Sequence, residues 1–245
     1  MRGEEIINNF SLFPVYQPIV DIRSGDIIAF EATVKGKNAQ GSEIGYEQLR
    51  EFEKQKDSID SVGELNLDFR ARDLALNEFQ LKDHKLFVNV SPEEMGTPLF
   101  FEDVNIANVV LEITEESKIH NPDRLKARLD VLRKKGLKVA LDDFGSLQQN
   151  HDKLDDFKPE FVKLDKSIVK NGKLNFFQPM ISIYDIVVEG VETEAHLQNC
   201  IELGFHYVQG FYFSRPLTYT QLLTDLYNKD LQQSIKEKLN IQSTV

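Results

Sequence analysis

Apolar residues gather in short runs that recur along the chain: Val15 to Ile22, Ile27 to Val34, Leu86 to Val90, Val109 to Ile113, Leu137 to Leu141, Phe161 to Leu164, Ile186 to Val188 and Tyr207 to Phe213. Their length and their content of Val, Ile and Phe predict β-strands. Between several of them the apolar spacing becomes helical. Asn121-Pro122 offers an N-cap and a first-turn proline to a helix carrying Leu125, Leu129 and Leu132 at i, i+4 and i+7, which Gly136 ends. Leu67, Ala71, Leu74 and Ala75 form a similar stripe. Thr218 and Gln221 have capping-box spacing, and Leu222, Leu226, Gln233 and Lys236 fall in one final helix over about 218–239.

Strands that alternate with helices predict an α/β fold with a mostly parallel sheet. About eight strands in 245 residues fit a TIM-type (β/α)8 barrel. An open doubly wound sheet shares the alternation, but the Gly-rich phosphate loop expected after its first strand is missing. Arg23 to Asp26 reads as a tight turn between adjacent antiparallel strands, in which case the barrel is not fully parallel. No Pro/Gly/Ser-rich linker divides the chain, so a single domain over 1–245 is expected.

Composition narrows the function. The apolar share of 41% is enough for a large core, and the net charge of −11 is the wrong sign for gripping a nucleic-acid polymer. A lone Cys200 and five scattered His exclude an internal disulfide and a Cys/His zinc site. The acidic start and the lack of a run of ~18 apolar residues predict no membrane segment and a cytoplasmic location.

The apolar runs end in polar residues: Glu31, Asn89, Glu112, Asp142-Asp143, Lys163 with Asp165, Glu189 with Glu192, and Gln209. In a barrel such ends converge on one mouth. Acids focused there repel one another unless cations neutralise them, and hard oxygen donors suit Mg2+, Mn2+ or Ca2+. Asp142 could bridge two ions about 4 Å apart, with Lys163 a point charge beside them. This chemistry fits metal-dependent phosphoester hydrolysis, and equally proton abstraction beside a metal-bound carboxylate with Lys163 as base; position alone does not separate them.

Eight strings extend the reading. Tyr16-Gln17-Pro18-Ile19, Glu31-Ala32-Thr33, Asn89-Val90-Ser91-Pro92, Glu112-Ile113-Thr114-Glu115, Asp142-Asp143-Phe144-Gly145, Lys163-Leu164-Asp165, Glu189-Gly190-Val191-Glu192-Thr193 and Gln209-Gly210-Phe211-Tyr212 stand in the order found in EAL domains. The chain resembles that family over a motif-bearing core of about 13–217. The resemblance implies a modified TIM barrel with one antiparallel strand that hydrolyses cyclic di-GMP to linear pGpG with two Mg2+ or Mn2+ ions, Ca2+ being expected to inhibit. Glu31, Asn89, Glu112 and Asp142 are then similar to first-metal ligands, and Asp142 and Asp143 to the bridge and second-metal side. Lys163 resembles the lysine beside the attacked phosphate, and Glu189 the general base. Glu192 and Gln209 look like supporting mouth residues, Gln17, Lys35 and Asp165 like substrate-side residues, and Glu115 like the anchor of the loop after Asp143.

This chain departs from the family pattern in several places. The signature ends in Thr33, expected to alter packing more than chemistry. Lys35 replaces an arginine and cannot make its two-pronged phosphate contact, which implies a weaker grip on substrate. The loop continues Ser146-Leu147-Gln148-Gln149-Asn150-His151 in place of a Gly-Tyr-Ser-Ser-type run. In the family this loop links metal binding to dimer formation, so a homodimer is not assumed. The crossover from Lys166 to Asp185, interrupted by Asn171-Gly172 and Gln178-Pro179, leaves little continuous helix. Phe176-Phe177 is expected to cover the core there, and Cys200 to be a buried small hydrophobe. The rival expectation is a catalytically weak or inactive cyclic di-GMP receptor that signals through a protein partner; the complete metal-ligand set ranks it second.

Overall fold

The structure, a computed structural model, describes residues 6–7, 9–55, 67–90, 106–114, 122–146 and 151–241. Glu115, the expected cap Asn121 and loop positions 147–150 lie outside the described residues. The first half of the chain forms β1 (Ile6–Ile7), β2 (Phe10–Asp21), β3 (Asp26–Asn38), β4 (Glu43–Ile44), α1 (Tyr46–Gln55), α2 (Leu67–Glu78), β5 (Lys85–Asn89) and β6 (Val109–Thr114). Then follow α3 (Pro122–Arg133), β7 (Lys138–Phe144), α4 (His151–Phe157), β8 (Phe161–Leu164), α5 (Lys166–Lys170) and a 3-10 helix (Leu174–Ser182). The chain ends with β9 (Asp185–Val188), α6 (Glu194–Glu202), β10 (Tyr207–Val208), β11 (Leu217–Thr218), α7 (Tyr219–Asn228) and α8 (Asp230–Lys238).

Eight strands close into a barrel in the order β2-β10-β9-β8-β7-β6-β5-β3, with β3 returning to β2. Every pairing in the ring is parallel except the two made by β2, which runs against both neighbours. The fold is therefore a modified (β/α)8 barrel with one antiparallel strand, and closure excludes the open doubly wound sheet. The reversal is made at the predicted turn: Gly25, at φ +75°, donates its N–H to the Asp21 carbonyl at 2.8 Å.

Two apolar layers hold the barrel. Inside it, Ile19, Ala29, Phe87, Val110, Ala140, Phe161 and Val187 pack as one buried cluster, with Tyr207 against them. Phe87 and Phe161 meet edge to face at 5.1 Å, worth ~0.5–1.5 kcal/mol beyond their area. Outside, Leu125, Leu129 and Leu132 of α3 and Leu197 and Cys200 of α6 are buried in the main core against the strands.

Four local readings change. Only Tyr207–Val208 of the run Tyr207 to Phe213 is strand, because Val191 exchanges backbone hydrogen bonds with Gln209 and Tyr212 and turns the chain there. The buried face of α2 is Leu67, Asp68, Arg72 and Ala75, with Ala71 and Leu74 only packed alongside. Asp68 is admitted to that face because Tyr46 donates to it at 2.5 Å and Arg50 pairs with it at 2.9 Å. The capping box of Thr218 and Gln221 forms, but the expected single final helix breaks into α7 and α8 at Lys229, which has a left-handed φ of 62°. Phe176-Phe177 divides, since Phe177 is buried against Phe144 whereas Phe176 is 70% exposed. The interrupted crossover has the short α5 and the proline-containing 3-10 helix in place of a long helix. Among the described residues no helix is long and apolar enough to cross a membrane.

Candidate active site

Strand side chains two residues apart share a face. On seven strands, the residue two positions beyond the inner apolar layer is polar: Glu31 after Ala29, Asn89 after Phe87, Glu112 after Val110, Asp142 after Ala140, Lys163 after Phe161, Glu189 after Val187 and Gln209 after Tyr207. Antiparallel β2 obeys the same rule in reverse, with Gln17 two residues before Ile19. The barrel thus carries an apolar plug and, one layer nearer the mouth, a ring of polar side chains.

Lys163 is the hub of that ring. Its Nζ lies 2.6 Å from Glu112 Oε1, 2.6 Å from Glu189 Oε1, 3.0 Å from Asp142 Oδ1 and 3.2 Å from Glu31 Oε2, with 1% of its side chain exposed. Burial alone would depress this lysine, but Asp142, Glu112, Glu189 and Glu31 together hold it well above its ordinary pKa. One ammonium cannot neutralise four carboxylates. Burial, reinforced by Glu31, pushes Glu112 well above the carboxylate range. Burial, with Asp142 and Glu31 opposing Lys163, raises Glu189 to about 8.

Adjacent strand residues normally point to opposite faces, yet Asp142 and Asp143 converge. The β7–β8 register shifts between Leu141 and Phe144, and Asp143 takes a left-handed φ of 54°. This irregularity turns Asp143 so that oxygens of Asp142, Asp143 and Glu189 lie within 4.8 Å of one another. Burial and the Asp142 charge raise Asp143 to about 7.

The amides close the ring. Gln209 Nε2 donates to Glu31 Oε2 at 2.5 Å and to Gln17 Oε1 at 3.2 Å, while Gln17 Nε2 donates to the Ser214 carbonyl at 3.0 Å. Above them opens a pocket of about 220 Å³ whose wall includes Gln17, Glu31, Glu189, Glu192 and Gln209. Gly190 and Gly210 are part of that wall. A Cβ on Gly210 would stand 2.1 Å from the Val191 carbonyl oxygen, so only glycine permits this approach of the two mouth segments.

The remaining predicted residues make contacts beyond the Lys163 hub. Asn89 pairs in register with Glu112, and its carbonyl accepts from Arg72 Nη1 at 3.0 Å. Lys35 pairs with Glu43 at 3.7 Å. Asp165 caps α5 by accepting from the Ser167 N–H at 2.9 Å. Thr33 lines a cavity of about 30 Å³ beside Asn89, Asp68 and Arg72, about the volume of one water. Phe211, from the Gln209-Gly210-Phe211-Tyr212 string, also lines the large pocket, as does Lys166, which no motif string contains. The only signal for Lys166 was position, directly after the Lys163-Leu164-Asp165 string. Arg72 was hidden by the apolar residues around it in α2.

The donor set fits divalent cations. Glu112 Oε2 and Gln209 Oε1 are buried without a hydrogen-bond partner among the described residues, three carboxylates converge, and every donor is a hard oxygen.

The family model described as the EAL domain matches residues 4–216. Among curated proteins, the probable cyclic di-GMP phosphodiesterase PdeG of Escherichia coli K12 is 27% identical over 91% of this chain and 48% of its own length. The chain spans less than half the length of this and the next matched relatives. Among solved structures, Bacillus subtilis YkuI, in complex with substrate c-di-GMP and calcium, superposes with a TM-score of 0.70 at 20% identity, covering 94% of this chain and 61% of that one. Klebsiella pneumoniae BlrP1, in a manganese and cyclic di-GMP complex, gives 0.67 at 22% identity over 88% of this chain and 58% of that one.

Proposed function

We propose, from the premise that this chain belongs to the EAL domain family, that it is a metal-dependent phosphodiesterase hydrolysing cyclic di-GMP to linear pGpG. The observation that carries the reading is the contact of one buried ammonium, Lys163, with four mouth carboxylates, a cage whose negative charge exceeds its internal cation. Glu31, Asn89, Glu112 and Asp142 would hold one Mg2+ or Mn2+, and Asp142 with Asp143 the other. When bound, such ions polarise the phosphate, lower the pKa of the attacking water and reverse the local sign for a dianionic nucleotide.

The chain's own residues then divide the work. Glu189, 2.6 Å from Lys163 and grouped with Asp142 and Asp143, takes the proton of the attacking water as general base. The Lys163 ammonium stabilises the negative charge that grows on the phosphoryl oxygens. Gln17 and Gln209, tied to each other and to Glu31, orient the nucleotide, and Glu192 borders it at the pocket wall. Water adds to phosphorus as one P–O ester bond of the ring breaks, leaving a linear dinucleotide with a terminal phosphate.

The pairing of Lys35 with Glu43 favours one second reading, a weakly active receptor that signals through a protein partner. Two measurements on wild type and Glu31→Ala separate them: calorimetry with cyclic di-GMP in EDTA and in Ca2+, and product analysis with Mn2+. The enzyme reading expects pGpG from wild type and none from Glu31→Ala. Tight binding in EDTA without product supports the receptor.

A further inference from the structure

We propose that Lys166 is a substrate-binding residue whose ammonium contacts a phosphate of the nucleotide in the mouth pocket. The inference rests on the phosphodiesterase reading and adds a contact that reading does not use. The named pocket wall carries three carboxylates, Glu31, Glu189 and Glu192, and among the described lining residues Lys166 is the only cation. A substrate with two phosphodiester groups gains from positive charge on this wall in addition to the ions the cage would hold. Lys163, 1% exposed and absent from the lining, acts from within the cage and adds no charge to this wall. Lys35 is paired with Glu43 and does not line the pocket. Arg215 lies over the Phe211 ring, 4.5 Å from its centroid, and is likewise absent from the lining.

Lys166 is exposed and makes no ion pair with a described residue, so its charge is free for a ligand. Its base is nevertheless fixed. Asp165 caps the chain just before it, and the Gly190 backbone lies flat on its stem: a Cβ on Gly190, whose φ is +69°, would stand 2.5 Å from Lys166 Cβ. The lysine therefore rises from a packed footing beside Glu189 while its side chain remains exposed at the pocket, where a contact must admit and release substrate.

The test compares wild type, Lys166→Met and Lys166→Arg: KM and kcat for cyclic di-GMP with Mn2+, Kd with Ca2+, and thermal unfolding of each. Lys166→Met is expected to raise KM and Kd about tenfold or more, as loss of a charge-assisted phosphate contact does, with kcat within about twofold and the unfolding temperature unchanged. Lys166→Arg is expected to restore most of the affinity, and the KM of Lys166→Met to depend less on salt than that of wild type. Wild-type KM and Kd in Lys166→Met, beside an active wild type, would overturn the role of Lys166 alone. A wild-type protein that neither binds nor hydrolyses the nucleotide would overturn the parent reading and this one together, on the wild-type data alone.

Discussion

Lys163 and Glu112 meet at 2.6 Å with essentially no solvent access, the ammonium of one strand set against the carboxylate two strands away. A buried pair of this kind contributes little net stability relative to apolar residues, yet removing one partner strands the other. Lys163→Met leaves Glu112, Asp142, Glu189 and Glu31 without their internal cation. It is expected to destabilise the metal-free protein by ~3–5 kcal/mol, with Mg2+ or Mn2+ recovering part of the loss. Chemical denaturation with EDTA and with millimolar Mg2+ measures both; an unchanged midpoint in EDTA would refute the hub role.

Asp143 holds a left-handed backbone so that its carboxylate joins Asp142 and Glu189. Asn tolerates that conformation whereas a β-branched residue does not. Asp143→Asn is expected to keep near wild-type stability while weakening Mn2+ binding, and Asp143→Val to lose ~1–3 kcal/mol as well. Calorimetric Mn2+ titration and thermal unfolding of the two variants separate charge from strain.

Far from the mouth, Asp21 supplies a pH-dependent increment of stability. Burial would raise its pKa, but the side-chain and backbone donors of Arg23 outweigh it and hold Asp21 below the usual carboxylate value. A depressed folded-state pKa stabilises above the unfolded value of 3.8, and the gain disappears as pH falls through the folded-state value. Asp21→Asn is expected to cost ~0.5–1 kcal/mol at neutral pH, the range of a partly exposed pair, and little in strong acid. Urea midpoints at pH 7 and pH 3 give the comparison; an equal loss at both would rule out the linkage.

Cys200 is fully buried on α6, and burial pushes its thiol up to about 12. Native protein at pH 8 is expected to react with a thiol-specific disulfide reagent only as fast as it opens, and unfolded protein at once. Rapid labelling of the native state would place the thiol at the surface.

Much of this was legible because the barrel repeats one rule. Polar residues at run ends, such as Glu112 and Glu189, mark the mouth of any sheet that closes, and the Gly25 turn announced the reversed strand. The sequence left out what depends on through-space packing. Lys163 reads as a point charge at the mouth, but its contact with four acids at once appears only when four other strands bring them to it. Lys166 looks like a solvated helix residue until Gly190 lays backbone against its stem. Asp68 and Arg72 break the apolar pattern of α2, and their burial is legible only once Tyr46, Arg50 and the Asn89 carbonyl are in place around them. The short β10 misleads for the same reason: Gly210 can turn the chain only because Val191 is there to receive it.

The central claim is that the mouth cage hydrolyses a cyclic dinucleotide with the help of divalent cations. The most direct measurement is chromatographic analysis of cyclic di-GMP incubated with the wild-type protein and Mn2+, with EDTA and Asp142→Asn as controls. The account predicts conversion to pGpG in the Mn2+ sample and unchanged nucleotide in both controls. Cyclic di-GMP recovered intact from folded, Mn2+-supplemented wild type would contradict it.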